Sequence, residues 1–219
     1  MRQSATARKI LIAAEALFAE QGFTETTMRQ ITTAADVNLA AVNYHFGSKK
    51  GLVSAVAEKY LNPLVAGVND AIEQRLAGDV EGAVSAEELL EILMRSLLQL
   101  GKAKQYALPV FMRLLELVYM KNQEELRDSL TERYGERLAV FISLLRGDSA
   151  PMSDEEFFWR VHFLLGSIVF TLANFQTLVA IEMREFERSA EIEKTLHRMI
   201  PVLVAGLEAR ADHTPFSRI

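Results

Sequence analysis

Three stretches of this chain carry a reciprocal helix-start pattern, a hydroxyl residue followed three positions later by Glu or Gln: Thr27-Met28-Arg29-Gln30, Ser85-Ala86-Glu87-Glu88 and Ser153-Asp154-Glu155-Glu156. Nowhere is there sustained period-two alternation, and no Asn-Gly or Asp-Gly hairpin turn occurs, so the chain reads as helices throughout. Ile10, Ala13, Ala14, Leu17 and Phe18 form the apolar face of a first helix, stopped by Gln21-Gly22. A second helix runs from near Thr27 to about Ala35. Asp36-Val37-Asn38 is a tight turn, and Asn38 caps a short third helix, Leu39 to His45, ended by Gly47. Ser48 caps a fourth helix carrying Leu52, Val53, Val56 and Tyr60, which Asn62-Pro63 should interrupt and kink.

Beyond a loop at 78–82, a helix opens at the second capping box and runs through Leu100. Pro109 suits the first turn of the next helix. Another starts at Asn122 or Gln123 and ends at Arg146-Gly147-Asp148. The third capping box predicts one long helix through roughly Met183, and a last helix covers about Ser189 to Arg210. The tail from Thr214 to Ile219 is expected to fray.

The formal net charge is −5, but it is unevenly spread. Residues 1–52 hold six bases and four acids, leaving 18 bases and 25 acids for the rest, a mildly basic head on an acidic body. The head is therefore the end suited to a polyanion. Cysteine is absent, which excludes disulfides and thiolate metal sites. The residues after Met1 show no long apolar run of the signal-peptide kind. The longest uncharged stretch, Val161 to Ile181, still carries His162, Asn174 and Gln176. The expectation is a soluble, cytoplasmic protein with no membrane partner.

Enzymatic chemistry finds no support in the motifs. There is no Gly-x-Ser-x-Gly elbow, no glycine-rich phosphate loop, and His45, His162, His197 and His213 lack zinc-ligand spacing. No catalytic residue, metal site or cofactor is expected. Two short helices joined by a three-residue turn do fit a helix-turn-helix, held by Ile31, Ala34, Val37, Val42 and Phe46, although an ordinary helical hairpin has the same spacing.

The stretches Thr26 to Ile31, Ala35 to Asn38 and Val42 to Leu52 closely resemble the signature of the TetR family of regulators, over roughly residues 8–56. The resemblance implies an all-α homodimer of nine or ten helices. Its three-helix helix-turn-helix domain would span 1–52 and its ligand-binding and dimerisation domain 53–212. Carried over residue by residue, it places Thr27, with Arg29 beside it, at a phosphate. It places Tyr44 and His45 on the DNA backbone and gives Lys49 the role of phosphate-binding lysine. Asn38, Leu39, Ala40, Ala41 and Asn43 lie on or next to the face toward base edges. Asn43 suits adenine and the alanines a thymine methyl. The family often has glycine at Asp36 and an aromatic at Asn43, so base preference does not transfer.

The run Phe157 to Ile181 is apolar almost all round and needs cover on both sides. The resemblance implies a partner subunit, with the last two helices, about 154–183 and 189–210, forming the dimer interface. Bulky and pliable residues, Phe111, Met112 and Leu115 among them, make the middle of the chain a candidate apolar pocket. Phe158 to Gly166 and Val37 to Lys50 are similar to a subgroup that senses long-chain fatty acids or their CoA esters and represses fatty-acid degradation genes. Gly166 and Phe170 join the ligand set, with Arg113, His162, Asn174 and Gln176 as candidate polar partners for a head group, although a satisfied core histidine is the commoner explanation of a residue like His162 and a surface ion pair explains Arg113 as well. The implied function is release of a repressor from a palindromic double-stranded operator by a small hydrophobic effector. A regulator of an efflux or other catabolic operon answering another apolar ligand, and a helical interaction module without DNA binding, are the alternatives.

Overall fold

The computed structural model describes residues 4–78, 82–103 and 107–209. They form ten helices and, among the described residues, no strand: α1 (Ala5–Gln21), α2 (Met28–Ala35), α3 (Leu39–Phe46), α4 (Lys49–Ala77), α5 (Ala86–Ala103), α6 (Ala107–Val118), α7 (Glu124–Asp148), α8 (Asp154–Ala173), α9 (Phe175–Phe186) and α10 (Ile192–Glu208). The expected loop residues 79–81, the end of the last helix at Arg210, His213 and the tail lie outside the described residues.

Helices α1, α2 and α3 close around Ile10, Ala14, Phe18, Ile31 and Val42, all fully buried, with the rings of Phe18 and Phe23 4.3 Å apart. Burying such aliphatic and aromatic side chains contributes about 1.5–3 kcal/mol each, which lets helices of eight residues persist. Ala34, expected in this core, is exposed; Ala35 takes its place. The face of α2 follows Ile31, Thr32 and Ala35, and one residue of offset rotates a helix position by about 100°.

Ser48 caps α4, whose first turn backs onto the end of α3. A Cβ at Gly51 would sit 2.0 Å from the carbonyl oxygen of Phe46, so this close approach admits only glycine. Helix α4 then runs on for 29 residues without interruption. Pro63 lies within it, so the expected break is absent. Pro63 is exposed, leaving the carbonyl deprived of its donor on the solvent side. The sequence boundary at residue 52 falls inside this helix, which packs Leu52, Val53 and Val56 toward the head and Leu64, Val65 and Val68 toward the body.

In the body, α6 is the central element: Leu108, Val110, Phe111, Met112 and Leu114 are at most 2% exposed. It packs on α8, α5, α4 and α7, and reaches α1 of the head. Leu196, Ile200, Leu203 and Leu207 recur at helical spacing and bury α10 against α5 and α8. The single long helix expected from 153 to 183 is two helices. The chain breaks at Asn174 (φ −108°, ψ 16°), whose backbone N–H and side-chain amide both donate to the Phe170 carbonyl. An asparagine that bonds the backbone in this way competes with helix continuation. The third capping box is half formed: Ser153 accepts from the Glu156 N–H, while the Glu156 carboxylate turns to Arg160 at 2.8 Å. By length and composition alone α8, Asp154–Ala173, is apolar enough to cross a membrane. Its buried Arg160, bonded to the carbonyls of Gly206, Leu207 and Ala209, instead ties it to α10.

Candidate nucleic-acid interface and effector cavity

The turn between α2 and α3 depends on Asp36, which adopts the left-handed conformation (φ 52°, ψ 54°) that aspartate tolerates better than most residues. Thr27 opens α2 with a complete capping box: its hydroxyl accepts from the Gln30 N–H, and Gln30 Oε1 accepts from the Thr27 N–H and hydroxyl, each at 2.7 Å. Arg29, next along, is exposed. Asn38 caps α3 by accepting from the Ala41 N–H at 2.8 Å.

Val42 is the only α3 residue that is buried, and it pins the helix to the head. The opposite face carries Leu39 (51% exposed), Ala40, Asn43 and Tyr44 (84% exposed), with Ala41 half-buried at its edge. A capped, anchored helix that leaves a leucine and a tyrosine in solvent is built to meet a partner. His45 is half-buried, its Nε2 3.4 Å from the Ser4 hydroxyl.

Lys49 does not extend into solvent. Its ammonium donates to the Thr24 carbonyl at 3.2 Å. Burial there lowers its pKa below the ordinary lysine value, against which the nearby Glu25 carboxylate acts. A phosphate reaching this corner would meet a cation already positioned by the loop between α1 and α2.

The ligand residues expected from sequence fall in three places. Phe111, Met112 and Leu115 line a cavity of about 270 Å³ between α4, α5, α6, α7 and α8, lined only by apolar side chains. Arg113 and Asn174 line a second, larger cavity of about 480 Å³ where α5, α6 and the α8–α9 break meet. His162, Gly166 and Phe170 do neither. With Leu115 and Tyr119 they border a shallow groove of about 370 Å³ on the outer side of α8. There His162 Nδ1 lies 2.7 Å from the Phe158 carbonyl and must carry the proton, leaving Nε2 3.5 Å from the Tyr119 hydroxyl. The expected ligand residues thus border three spaces, of which the apolar cavity and the outer groove share Leu115 and Leu165 as a common wall.

The model for the C-terminal domain described as "Tetracyclin repressor-like" matches residues 91–206, more than half of the chain, and that for "Bacterial regulatory proteins, tetR family" matches residues 10–56. The chain belongs to the TetR family. Its sequence is similar to "Probable HTH-type transcriptional regulator YttP" of Bacillus subtilis, 31% identical over 88 residues, 40% of each chain. It is also similar to a regulator in the dhlA 5' region of Xanthobacter autotrophicus, 40% identical over 60 residues, 27% of this chain and 30% of the relative. The matched stretch thus spans well under half the length of these relatives. Among TetR-fold structures, the fatty acid degradation regulator FadR from Bacillus halodurans superposes with a TM-score of 0.62 at 18% identity, covering 96% of this chain and 100% of that one. A TetR family regulator from Marinobacter aquaeolei VT8 does so with 0.62 at 13%, covering 94% and 96%. At such identities the likeness is one of fold. TetR-family proteins are transcription factors rather than enzymes.

Several inter-helix contacts of this TetR-family chain carry no motif in the sequence. Glu15 is fully buried on α1 and pairs with Lys59 of α4. A charge inside the stripe Ala13, Ala14, Leu17 was the available sequence signal. Polar bonds lace α4 to α7: Lys50 to Glu125 at 2.7 Å, Glu58 to Arg133, and the Tyr134 hydroxyl to Asn62 at 2.8 Å. The Lys50 ammonium holds the Glu125 carboxyl below its usual pKa.

Proposed function

We propose that this TetR-family protein is a homodimeric, cytoplasmic repressor that grips a palindromic double-stranded operator and is released by a small hydrophobic effector, a long-chain fatty acid or its CoA ester. The observation that carries this reading is the continuity of α4. One helix begins with Lys49 at the DNA-facing corner and, three turns on, lines the apolar cavity with Leu61, Leu64, Val65 and Val68. Filling the cavity presses on the same rod that fixes the head. The α4–α7 bonds from Lys50 to Asn62 lie between the two, so a shift of α4 against α7 disturbs them first.

The cavity volume lies just under the range of about 300–1,000 Å³ common for ligand sites, and Met112 in its wall adapts readily to a flexible chain. A second copy would cover the outer face of α8, where Phe158, Trp159, Phe163 and Phe170 are each at least half exposed, together with Val202 of α10. Two heads related by a twofold axis would read two half-sites. The effector then acts by population shift: it binds better when the heads are wrongly spaced, and repression falls by that differential affinity.

The test is fluorescence anisotropy of DNA from the region upstream of the protein's own gene, over a salt series, with and without oleoyl-CoA. A specific complex with a steep salt slope is expected, and Lys49→Met, which removes one phosphate contact from each of the two heads, should reduce that slope by about 1.8. Oleoyl-CoA should weaken the complex. Equal affinity of oleoyl-CoA for free and DNA-bound protein would refute the mechanism.

A further inference from the structure

We infer that the buried ion pair between Glu15 of α1 and Lys59 of α4 is the joint through which the effector cavity acts on the operator-binding head. The inference rests on the effector reading above and adds which residues carry the coupling.

Glu15 is fully buried on the face of α1 that also holds Leu11, Ala14 and Phe18. A carboxylate is rarely enclosed in this way without a cation, and here the Lys59 ammonium supplies it. Stability does not account for the pair. Taking a carboxylate out of water offsets much of what its attraction to the ammonium returns, and apolar residues of similar volume often serve as well or better. What a charged pair adds is geometry. Apolar surfaces slide over one another, whereas a carboxylate bound to an ammonium sets the register of two helices.

The register is set where α4 passes from head to body. Val56 of α4 packs toward the head, and Leu61 lines the apolar cavity. Between them, Lys59 and Tyr60 point about 100° apart, as consecutive helical residues do, the first toward α1 and the second toward α6. The buried Tyr60 ring lies 5.8 Å from the ring of Phe111, a wall of the cavity. The Lys59 ammonium is 5.9 Å from the centre of the same Tyr60 ring, within reach of a cation–π contact. Contacts therefore run unbroken from cavity wall to head through Phe111, Tyr60, Lys59 and Glu15. Beyond Glu15, α1 packs directly on α2 and α3. An effector that displaces Phe111 bears on Tyr60 and, through the pair, carries α1 along with α4, so the head turns as one body. Without the pair, α4 shifts past α1 and leaves α3 in place.

The test measures operator affinity of the full-length protein by anisotropy, with and without saturating oleoyl-CoA, and reads the ratio of the two. In the unaltered protein the ratio should be roughly tenfold, within the range usual for coupled sites. Glu15→Met/Lys59→Met replaces the pair with apolar side chains of similar length. It should bind operator alone, and oleoyl-CoA alone, within about threefold of the unaltered protein, while the ratio falls below about twofold. A brace that only held the head would instead change operator affinity and leave the ratio alone. Lys59→Arg, which keeps the cation, should keep the ratio. Tyr60→Leu leaves the pair intact but removes the ring between it and the cavity. It should lose the ratio too, and its result decides if the double variant fails to fold in a urea titration. A ratio that survives in these variants, or a folded double variant that no longer binds operator, overturns the coupling role while leaving the effector reading standing. An unaltered protein indifferent to oleoyl-CoA overturns the effector reading and the joint with it.

Discussion

Arg160 offers the most quantitative test of how the body is held together. Its guanidinium is almost wholly enclosed, with the side chain 6% exposed. It donates to Glu156 Oε1 at 2.8 Å on its own helix and to the carbonyls of Leu207 at 2.8 Å, Gly206 at 3.3 Å and Ala209 at the end of α10. These carbonyls carry the negative end of the α10 dipole and lack helical donors, so one cation serves both as cap and as clasp. Arg160→Met keeps the length and apolar stem but removes every donor. Breaking a fully buried pair costs about 3–5 kcal/mol, and stranding a buried acceptor about 1–3 kcal/mol. Glu156 is 40% exposed and is rehydrated on its own, so the lower part of that range applies, about 2–3 kcal/mol. For a chain of this size the midpoint of thermal unfolding should fall by roughly 5–10 °C. Arg160→Lys keeps the charge without the fork and should lose about half as much. The chain's only tryptophan, Trp159, adjoins the site and reports its opening by fluorescence in urea, at fixed protein concentration because the proposed dimer makes stability concentration-dependent. A change under about 0.5 kcal/mol for Arg160→Met would refute the clasp.

Gly51→Ala should cost at least about 2 kcal/mol and abolish operator binding, since its Cβ meets the Phe46 carbonyl at 2.0 Å; Gly147→Ala, with open space around it, should be neutral or slightly stabilising, both read by thermal unfolding and DNA anisotropy. Glu88 has its carboxyl pKa held below the ordinary value, chiefly by the hydrogen bond from Arg75 and then by the Ser85 N–H. Its stabilisation is therefore present above the unfolded-state pKa and is lost as pH falls through the folded one, so Glu88→Gln should flatten the decline in stability below about pH 5 in urea titrations. Leu138→Trp fills part of the apolar cavity from α7, so operator affinity should fall even without effector, and oleoyl-CoA should weaken the complex no further, both read by DNA anisotropy.

What the sequence made legible is what is decided locally. Thr27, Asn38, Ser48, Ser85 and Ser153 all cap helices, because a short side chain satisfying an N–H three residues on needs nothing from elsewhere in the fold. The exposed face of α3 was equally readable once Val42 was taken as its anchor. What failed depends on partners far along the chain. Whether Pro63 breaks α4 depends on which side of the helix faces solvent. The role of Arg160 depends on where α10 ends, 46 residues and more away. Phe111 and His162 both belong to apolar helices, but the rotation of α8 about its axis, set by Leu164 and Ile168 packing inward, puts His162 on a groove that meets the apolar cavity only across Leu115 and Leu165. The break at Asn174 had a local cause and was missed because the surrounding apolar run masked one residue.

The central claim is that one helix, α4, links an operator-binding head to an apolar effector cavity. It is tested most directly by measuring the affinity of the full-length protein for its operator in the presence of increasing oleoyl-CoA, alongside the affinity of oleoyl-CoA for the protein with and without saturating operator. The account predicts that both affinities fall by the same factor, as linkage requires of two sites that bias one equilibrium. Specific operator binding with no reciprocal loss in either direction would contradict it.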